Sequence, residues 1–213
     1  MIGIVDYGMG NLGSVRNAFE HLGHAARIFD DPQEAAGFER ILLPGVGSFA
    51  QAMRNLDERG WSPVLREVAA SGKPMLGICL GMQLLFDRGE EHGDTAGLGL
   101  VPGKVIRMQP TPPNRLPHVG WNTLDHARRH PLHAGVKDHV DFYFVHSYHC
   151  VPDDEADVLA RVDHGGRVVA SVARANVAGM QFHPEKSQAV GLKLLENFAG
   201  WDGGDTVGSA LPW

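Results

Sequence analysis

The apolar and polar positions of this chain follow two different periods. MIGIVD is a continuous apolar, β-branched run that ends on Asp6 and predicts a short buried strand. SVRNAFEHLG carries Val15, Ala18, Phe19 and Leu22 at helical spacing and stops at Gly23. HAARIFD and FERILLPG predict a second and a third strand, and Phe49 or Ala50 opens a helix. WSPVLREVAASG predicts a short helix with Ser62 as its cap and Pro63 at its first position. Met75 to Ile78 is a fourth apolar run, followed at once by a helix-compatible set, Met82, Leu84, Leu85 and Phe86. Alternation of this kind predicts an α/β fold with a mostly parallel central sheet flanked by helices on both faces.

The second half of the chain changes character. DRGEEHGDTAGLGLVPG reads as a polar, Gly-rich loop and KVIRMQ as a strand. Pro110, Pro112, Pro113 and Pro117 exclude a regular helix or central strand from PTPPNRLPHVGWN. That loop ends in Trp121, either a plug over the core or an exposed anchor for a partner. DFYFVHSYHC predicts one strand, with His146, Tyr148 and Cys150 on one face and Tyr143, Val145, Ser147 and His149 on the other. From Val158 onward, turns at His164-Gly165-Gly166 and Ala175-Asn176 predict antiparallel strands, hence an antiparallel β extension of the sheet. SQAVGLKLLENFAGW predicts the last helix, with Ala189, Leu192, Leu195 and Phe198 inward. One domain is expected over 1–201, and a loose C-terminal tail over 202–213.

Composition narrows the partners. A chain of 213 residues suits one large domain, and a net charge of −6 without a basic block argues against nucleic acid or an anionic membrane. No apolar run reaches the ~18 residues of a spanning helix, and the N-terminus reads as a strand, not a signal peptide. Two cysteines make no disulfide framework, so a cytoplasmic location with reduced thiols is expected.

Four local patterns carry candidate chemistry. Cys79 stands between Gly77 and Gly81, where a strand gives way to a helix: the form of a nucleophile elbow. Its alternative is a thiol buried between a core strand and a core helix. Gly8-x-Gly10-x-x-Gly13, with Asp30 closing the next strand, approaches a dinucleotide fingerprint, against which stand Asp6 and bulky Tyr7 at the strand end. In Gly45-Val46-Gly47 the glycines leave the Val46 peptide free to turn, so its N–H can serve an oxyanion hole. His183-Pro184-Glu185 sets a carboxylate beside an imidazole on the same side of an extended, proline-stiffened segment, as a base and its orienter. A zinc site through His146, His149 and Cys150, or through His126 and His130, is the competing use of such residues, but no C-x-x-C or H-E-x-x-H accompanies them.

With these residues the chain resembles the class I (triad) glutamine amidotransferases, and among them the glutaminase subunits of imidazole glycerol phosphate synthase. The motifs are DYGMGN, LPGVGSF, GICLGMQLLF, GLGLVPG, PHVGWN, FVHSY and QFHPEKS, and the match runs from residue 2 to about 200. The resemblance implies a catalytic triad of Cys79, His183 and Glu185, and an oxyanion hole made by the N–H groups of Val46 and Leu80. It implies that Gln83, Glu91, Ser147 and Tyr148 grip glutamine, with Gly47 near the substrate. No cofactor and no metal are implied, and the DYGMGN turn would border the glutaminase site without binding a dinucleotide.

The same resemblance implies a partner, a (β/α)8-barrel cyclase subunit that receives ammonia, docked through Trp121, Asn122, Tyr143 and Lys186. Two other readings stay open on the residues alone: a different cysteine hydrolase of γ-glutamyl or peptide bonds, and a non-enzymatic regulatory subunit. The free Val46 peptide also lets the oxyanion hole be set from outside the chain.

Overall fold

The computed structural model describes residues 1–205. In chain order the elements are β1 (Ile2–Val5), α1 (Leu12–His21), β2 (Ala26–Phe29), β3 (Arg40–Gly45), α2 (Phe49–Glu58), α3 (Trp61–Ala70), β4 (Met75–Cys79), α4 (Leu80–Leu84) and β5 (Phe86–Gly89). There follow β6 (Thr95–Ala96), β7 (Val101–Arg107), β8 (His118–His126), β9 (Val140–His146), β10 (Tyr148–Pro152), β11 (Val158–Asp163), β12 (Arg167–Arg174), β13 (Val177–Met180) and α5 (Gln188–Gly200).

A nine-stranded sheet runs in the order β2-β1-β3-β4-β13-β12-β11-β8-β9. From β2 to β13 the neighbours are parallel, and from β13 to β9 they are antiparallel. The expected α/β architecture with an antiparallel extension is therefore present. A second sheet, β10-β7-β5-β6, lies apart from it. Both faces of the parallel half are apolar because helices cover both. Ile4, Leu42, Leu76 and Ile78 share a core with Phe19 of α1 and Leu194, Leu195 and Phe198 of α5. Ile41, Leu43 and Met75 share the other with Met53 and Leu56 of α2, Trp61 and Leu65 of α3, and the second sheet.

Several local expectations are corrected. α3 begins at Trp61, not behind Ser62: Gly60 caps it at φ 75°, and Trp61 is buried edge-on against Phe29. The elbow helix ends at Leu84, because the carbonyls of Leu84, Leu85 and Phe86 accept N–H groups from residues 98–101 and draw Phe86 into β5. The segment read as a loop after it thus contributes two strands. Asp141 to Cys150 is not one strand: it breaks at Ser147 and passes from one sheet to the other. Trp121 belongs to β8 and not to the Pro-rich loop. On α5, Leu194 takes the buried place expected for Ala189, which is exposed, and Leu192 is half-buried. At the tail, Trp201 is buried and donates from Nε1 to Gly204 O at 2.7 Å, while Asp205 meets His130 Nε2 at 3.1 Å. Residues 206–213 of the expected tail lie outside the described residues.

Candidate active site

β4 is central and parallel to both its neighbours, so its C-terminal end opens on the edge where α/β sheets present their ligands. Cys79 ends it at φ 55° and ψ −112°, a conformation that costs a non-glycine residue on the order of 1–3 kcal/mol. Contact between backbones holds that strain in place. A methyl group on Gly81 would stand 1.9 Å from Leu43 O, and one on Gly77 2.5 Å from Gly81 O. Only glycine lets the turn lie this close to the strands. Because α4 has five residues, its summed dipole is small, and the field at the sulfur depends more on the side chains around it.

Those side chains arrive from β13 and from β9. β13 runs parallel to β4 with Met180 opposite Ile78, so the chain leaving it passes Cys79. Gln181 is fully buried there and places Nε2 at 3.8 Å from Cys79 Sγ, while Val145 O lies at 4.0 Å. His183 N–H donates to Tyr143 O at 2.9 Å, which fixes the ring's root. His183 Nδ1 lies 2.8 Å from Glu185 Oε1, with both side chains buried. Glu185 reaches that position from a 3-10 turn, Pro184–Lys186, and not from the extended segment read in the sequence. Since Nδ1–H is committed to the carboxylate, Nε2 is the nitrogen left to exchange a proton with Cys79. No hydrogen bond of ordinary geometry yet closes on Nε2. Burial draws the His183 imidazole down, but the neighbouring Cys79 sulfur, with the hydrogen bond and charge of Glu185, outweighs it and raises the pKa to about 9.

In front of Sγ lies a cavity of about 400 Å³, within the range of ~300–1,000 Å³ typical of small-molecule sites. Val46, Gly47, Leu80, Gln83, Glu91, Ser147 and Tyr148 all line it. Val46 stands at the rim, 41% exposed, and Gly47 has φ 113°, a conformation that favours glycine. Leu80 is the first residue of α4, so its N–H has no intrahelical acceptor. Glu91 Oε2 accepts Phe49 N–H at 2.7 Å and so caps α2. Gln83 Nε2 donates to Tyr148 O at 3.1 Å and to Gln181 Oε1 at 3.0 Å. The Cys79 thiol, the backbone of Val46 and Leu80 and the Glu91 carboxylate thus border one cavity, while His183 and Glu185 border a separate space of about 10 Å³ that shares Val46 with it. The arrangement suits acyl transfer from a small amide that carries a cationic group.

The family model for glutamine amidotransferase class-I matches residues 3–200. The chain belongs to the class I glutamine amidotransferases. It is 52% identical over 211 residues to a Desulfitobacterium hafniense protein named imidazole glycerol phosphate synthase subunit HisH, covering 99% of each chain. Proteins of the same name from Geobacillus kaustophilus and Sulfurimonas denitrificans are 50% and 48% identical, covering 94% and 93% of this chain and 96% and 97% of theirs. Among solved structures, PurLQS from Thermotoga maritima shares the fold at a TM-score of 0.73 and 20% identity, over 93% of this chain and 97% of that one.

Beside this amidotransferase site the outer face of β8 and β9 is apolar. Val119 pairs with Val145 and Trp121 with Tyr143, and Val119, Trp121 and Val145 are exposed. Trp121 and Tyr143 meet edge to face at 6.0 Å, and the exposed Lys186 follows Glu185. Asn122 points the other way and has spent its amide hydrogens within the chain, on His118 and Asp163. Sequence reasoning missed Val119, Val145 and Gln181. A polar residue inside the apolar run AGMQF, two positions before His183, was the available signal for Gln181; the valines needed the β8–β9 register.

Other candidates find no such support. The glycine turn at residues 8–13 packs Gly10 against Pro44 and Met9 against Gly47. The space between it and His183 is about 10 Å³, too small for a nucleotide. Neither histidine grouping weighed for zinc gathers three ligand atoms. Among the described residues only Asp125, Asp138 and the exposed His139 do so, away from the elbow strand. Likewise among the described residues, no helix is long and apolar enough to cross a membrane.

Proposed function

We propose that this chain hydrolyses L-glutamine to glutamate and ammonia and hands the ammonia to a partner subunit. The chain is the glutaminase subunit of imidazole glycerol phosphate synthase, a reading carried by near-full-length identity of about half to proteins of that name. Cys79 is the nucleophile. His183 takes its proton, and Sγ attacks the side-chain amide carbon, forming the C–S bond and an oxyanion held by the N–H groups of Val46 and Leu80. His183 gives the proton to the departing nitrogen as the C–N bond breaks, releasing ammonia and leaving a γ-glutamyl thioester. Water then attacks with His183 as base, the C–S bond breaks, and the thiol regains a proton. Glu185 holds His183 in one tautomer throughout. Glu91 faces the substrate's ammonium through Oε1, which also lies 3.9 Å from the exposed His92 Nε2, and Gln83, Ser147 and Tyr148 hold its α-carboxylate end, with Gly47 beside it.

Free ammonia at neutral pH is mostly ammonium and is not nucleophilic, so it must pass directly to its acceptor. The partner is a (β/α)8-barrel cyclase that makes imidazole glycerol phosphate and an aminoimidazole carboxamide nucleotide. It docks on the patch of Trp121 and Tyr143, with Lys186 and Asn122 at its border. A cytoplasmic location belongs to the same reading, in which Cys79 and Cys150, buried and not bonded to each other, work as thiols. Residues 1–201 form the amidotransferase domain. The deciding assay is ammonia release from glutamine with the cyclase and its nucleotide ligand present. Activity in the wild type and none in Cys79→Ser supports the reading, and a wild type without ammonia release overturns it.

A further inference from the structure

The carbonyl of Tyr148, beside the glutamine cavity, accepts two hydrogen bonds, from Gln83 Nε2 at 3.1 Å and from His146 Nδ1 at 2.8 Å. A carbonyl has no proton to give, so His146 carries its hydrogen on Nδ1. Its Nε2 is then an acceptor, and it lies 3.0 Å from His118 Nδ1, which must be the donor. His118 Nε2 is left to accept, and meets Asn122 Nδ2 at 3.1 Å. That amide also donates to Asp163 O at 2.8 Å and takes Thr123 N–H on its oxygen at 2.8 Å, so its orientation is fixed. The bonds therefore all run one way, from Asn122 through His118 and His146 to Tyr148.

The line works only with both imidazoles neutral, and burial keeps them so. It pushes His118 down to about 4, with the stacked His164 adding to the effect. It pushes His146 down to about 3 against the pull of the Tyr148 carbonyl, helped by His118, His149 and His164. The line also sits where the chain needs support. At Ser147 the backbone leaves one sheet for the other, braced by Met108 N–H on Ser147 O at 3.0 Å and by the two donors on Tyr148.

We infer that His146 and His118 are positioning residues for glutamine: their one-way hydrogen-bond line holds the Ser147–Tyr148 crossing in its binding shape and ties it to Asn122 on the strand of the apolar docking patch. The inference rests on the reading of this cavity as a glutamine site. Neither imidazole need touch the reacting atoms, so the effect belongs in KM and not in kcat.

The test is steady-state glutamine kinetics in the complex with saturating cyclase and its ligand. His118→Phe keeps a ring against Phe144 and His164 but removes the donor, leaving His146 Nε2 buried and unpaired. An unsatisfied buried acceptor of this kind corresponds to about a tenfold rise in KM, with kcat within about threefold of wild type if the line only positions. His118→Asn puts an amide N–H where Nδ1 was and is expected to bring KM back to within about threefold. An unchanged KM in His118→Phe, or the same KM in both variants, overturns the inference. Should His118→Phe fail to fold, Asn122→Leu breaks the line at its outer end, and an unchanged KM there overturns it equally. A wild-type complex that releases no ammonia overturns the glutaminase reading itself; an active wild type with indifferent variants overturns only the hydrogen-bond line.

Discussion

Replacing Gly81 by alanine isolates the geometry of the elbow from its chemistry, because the added methyl touches no proposed catalytic group. The new Cβ would lie 1.9 Å from Leu43 O and 2.9 Å from Leu43 C. Carbon–oxygen approaches in proteins ordinarily close at about 3.3 Å, so the two backbones must part by about 1.4 Å. No side chain can absorb this by rotating, since the obstacle is the carbonyl of a central strand. Overpacking of this sort typically costs ~1–3 kcal/mol, and a backbone obstacle puts the expectation near ~3 kcal/mol. For a domain of this size that lowers the thermal midpoint by roughly 6–12 °C. The larger effect is on rate. Cys79 and Leu80 immediately precede Gly81 in the chain, and a misplacement of ~1 Å at a reacting group costs on the order of a hundredfold. Thermal unfolding and ammonia release in the cyclase complex measure the two parts. A Gly81→Ala protein with the wild-type midpoint and rate would refute the claim that backbone contact shapes the elbow.

Other perturbations separate the remaining groups. In the wild type the His183 ring is expected to titrate near pH 9 by NMR, and in Cys79→Ala the midpoint should fall, since one of two raising partners is gone. Because this pKa is raised, the stability it contributes is complete below about 6.5 and fades as pH rises through about 9; a Cys79→Ala midpoint still near 9 would contradict the assigned cause. Glu91→Gln keeps an acceptor for Phe49 N–H but loses the charge, so KM for glutamine should rise at least about tenfold with little change in melting, whereas Glu91→Ala also loses a cap worth ~1 kcal/mol. Equal melting of the two variants would deny the cap. Trp121→Ala should weaken cyclase binding by about 2 kcal/mol or more, read by titration calorimetry, and an unchanged Kd would remove Trp121 from the interface. The free subunit is expected to release ammonia a hundredfold or more slowly than the docked, ligand-bound complex, the worth of one oxyanion donor; high activity without partner or ligand would exclude control through Val46.

What was legible in the sequence is what local rules decide. Gly77-Ile78-Cys79-Leu80-Gly81 announces a turn too tight for side chains, and the strand and turn signals from Val158 to Met180 matched the ladder, because period and turn chemistry are short-range. The failures occur where distant backbone competes for a segment. Phe86 has the spacing of a helical residue, yet residues 98–101 capture the carbonyls around it. Asp141 to Cys150 alternates like one strand, but its halves pair with β8 and with β7, and the break falls at Ser147, which lines the cavity. The Pro-rich loop gave no sign that Trp121 would be in register with Tyr143. Gln181 and the histidine line escaped notice for the same reason: each is a buried polar group whose purpose lies in a partner far away in the chain.

The exposed side of the site connects these observations to the need for a second subunit. Cys79, His183 and Glu185 are buried and mutually arranged within one chain, whereas the Val46 peptide stands at the rim. Of the five large hydrophobic residues left exposed among the described ones, four are Val46, Val119, Trp121 and Val145, and Val46 and Val145 line the catalytic cavity itself. The apolar patch of β8 and β9 and the Val46 loop are thus parts of one surface. A donor in open water gains little from a developing charge, because water already serves the same role; excluded from water it is worth far more. A partner seated on Trp121 and Val145 would remove water from the Val46 peptide by the same contact that closes the route for ammonia. Coupling hydrolysis to docking in this way requires no catalytic group from the partner, only that its surface reach as far as residue 46.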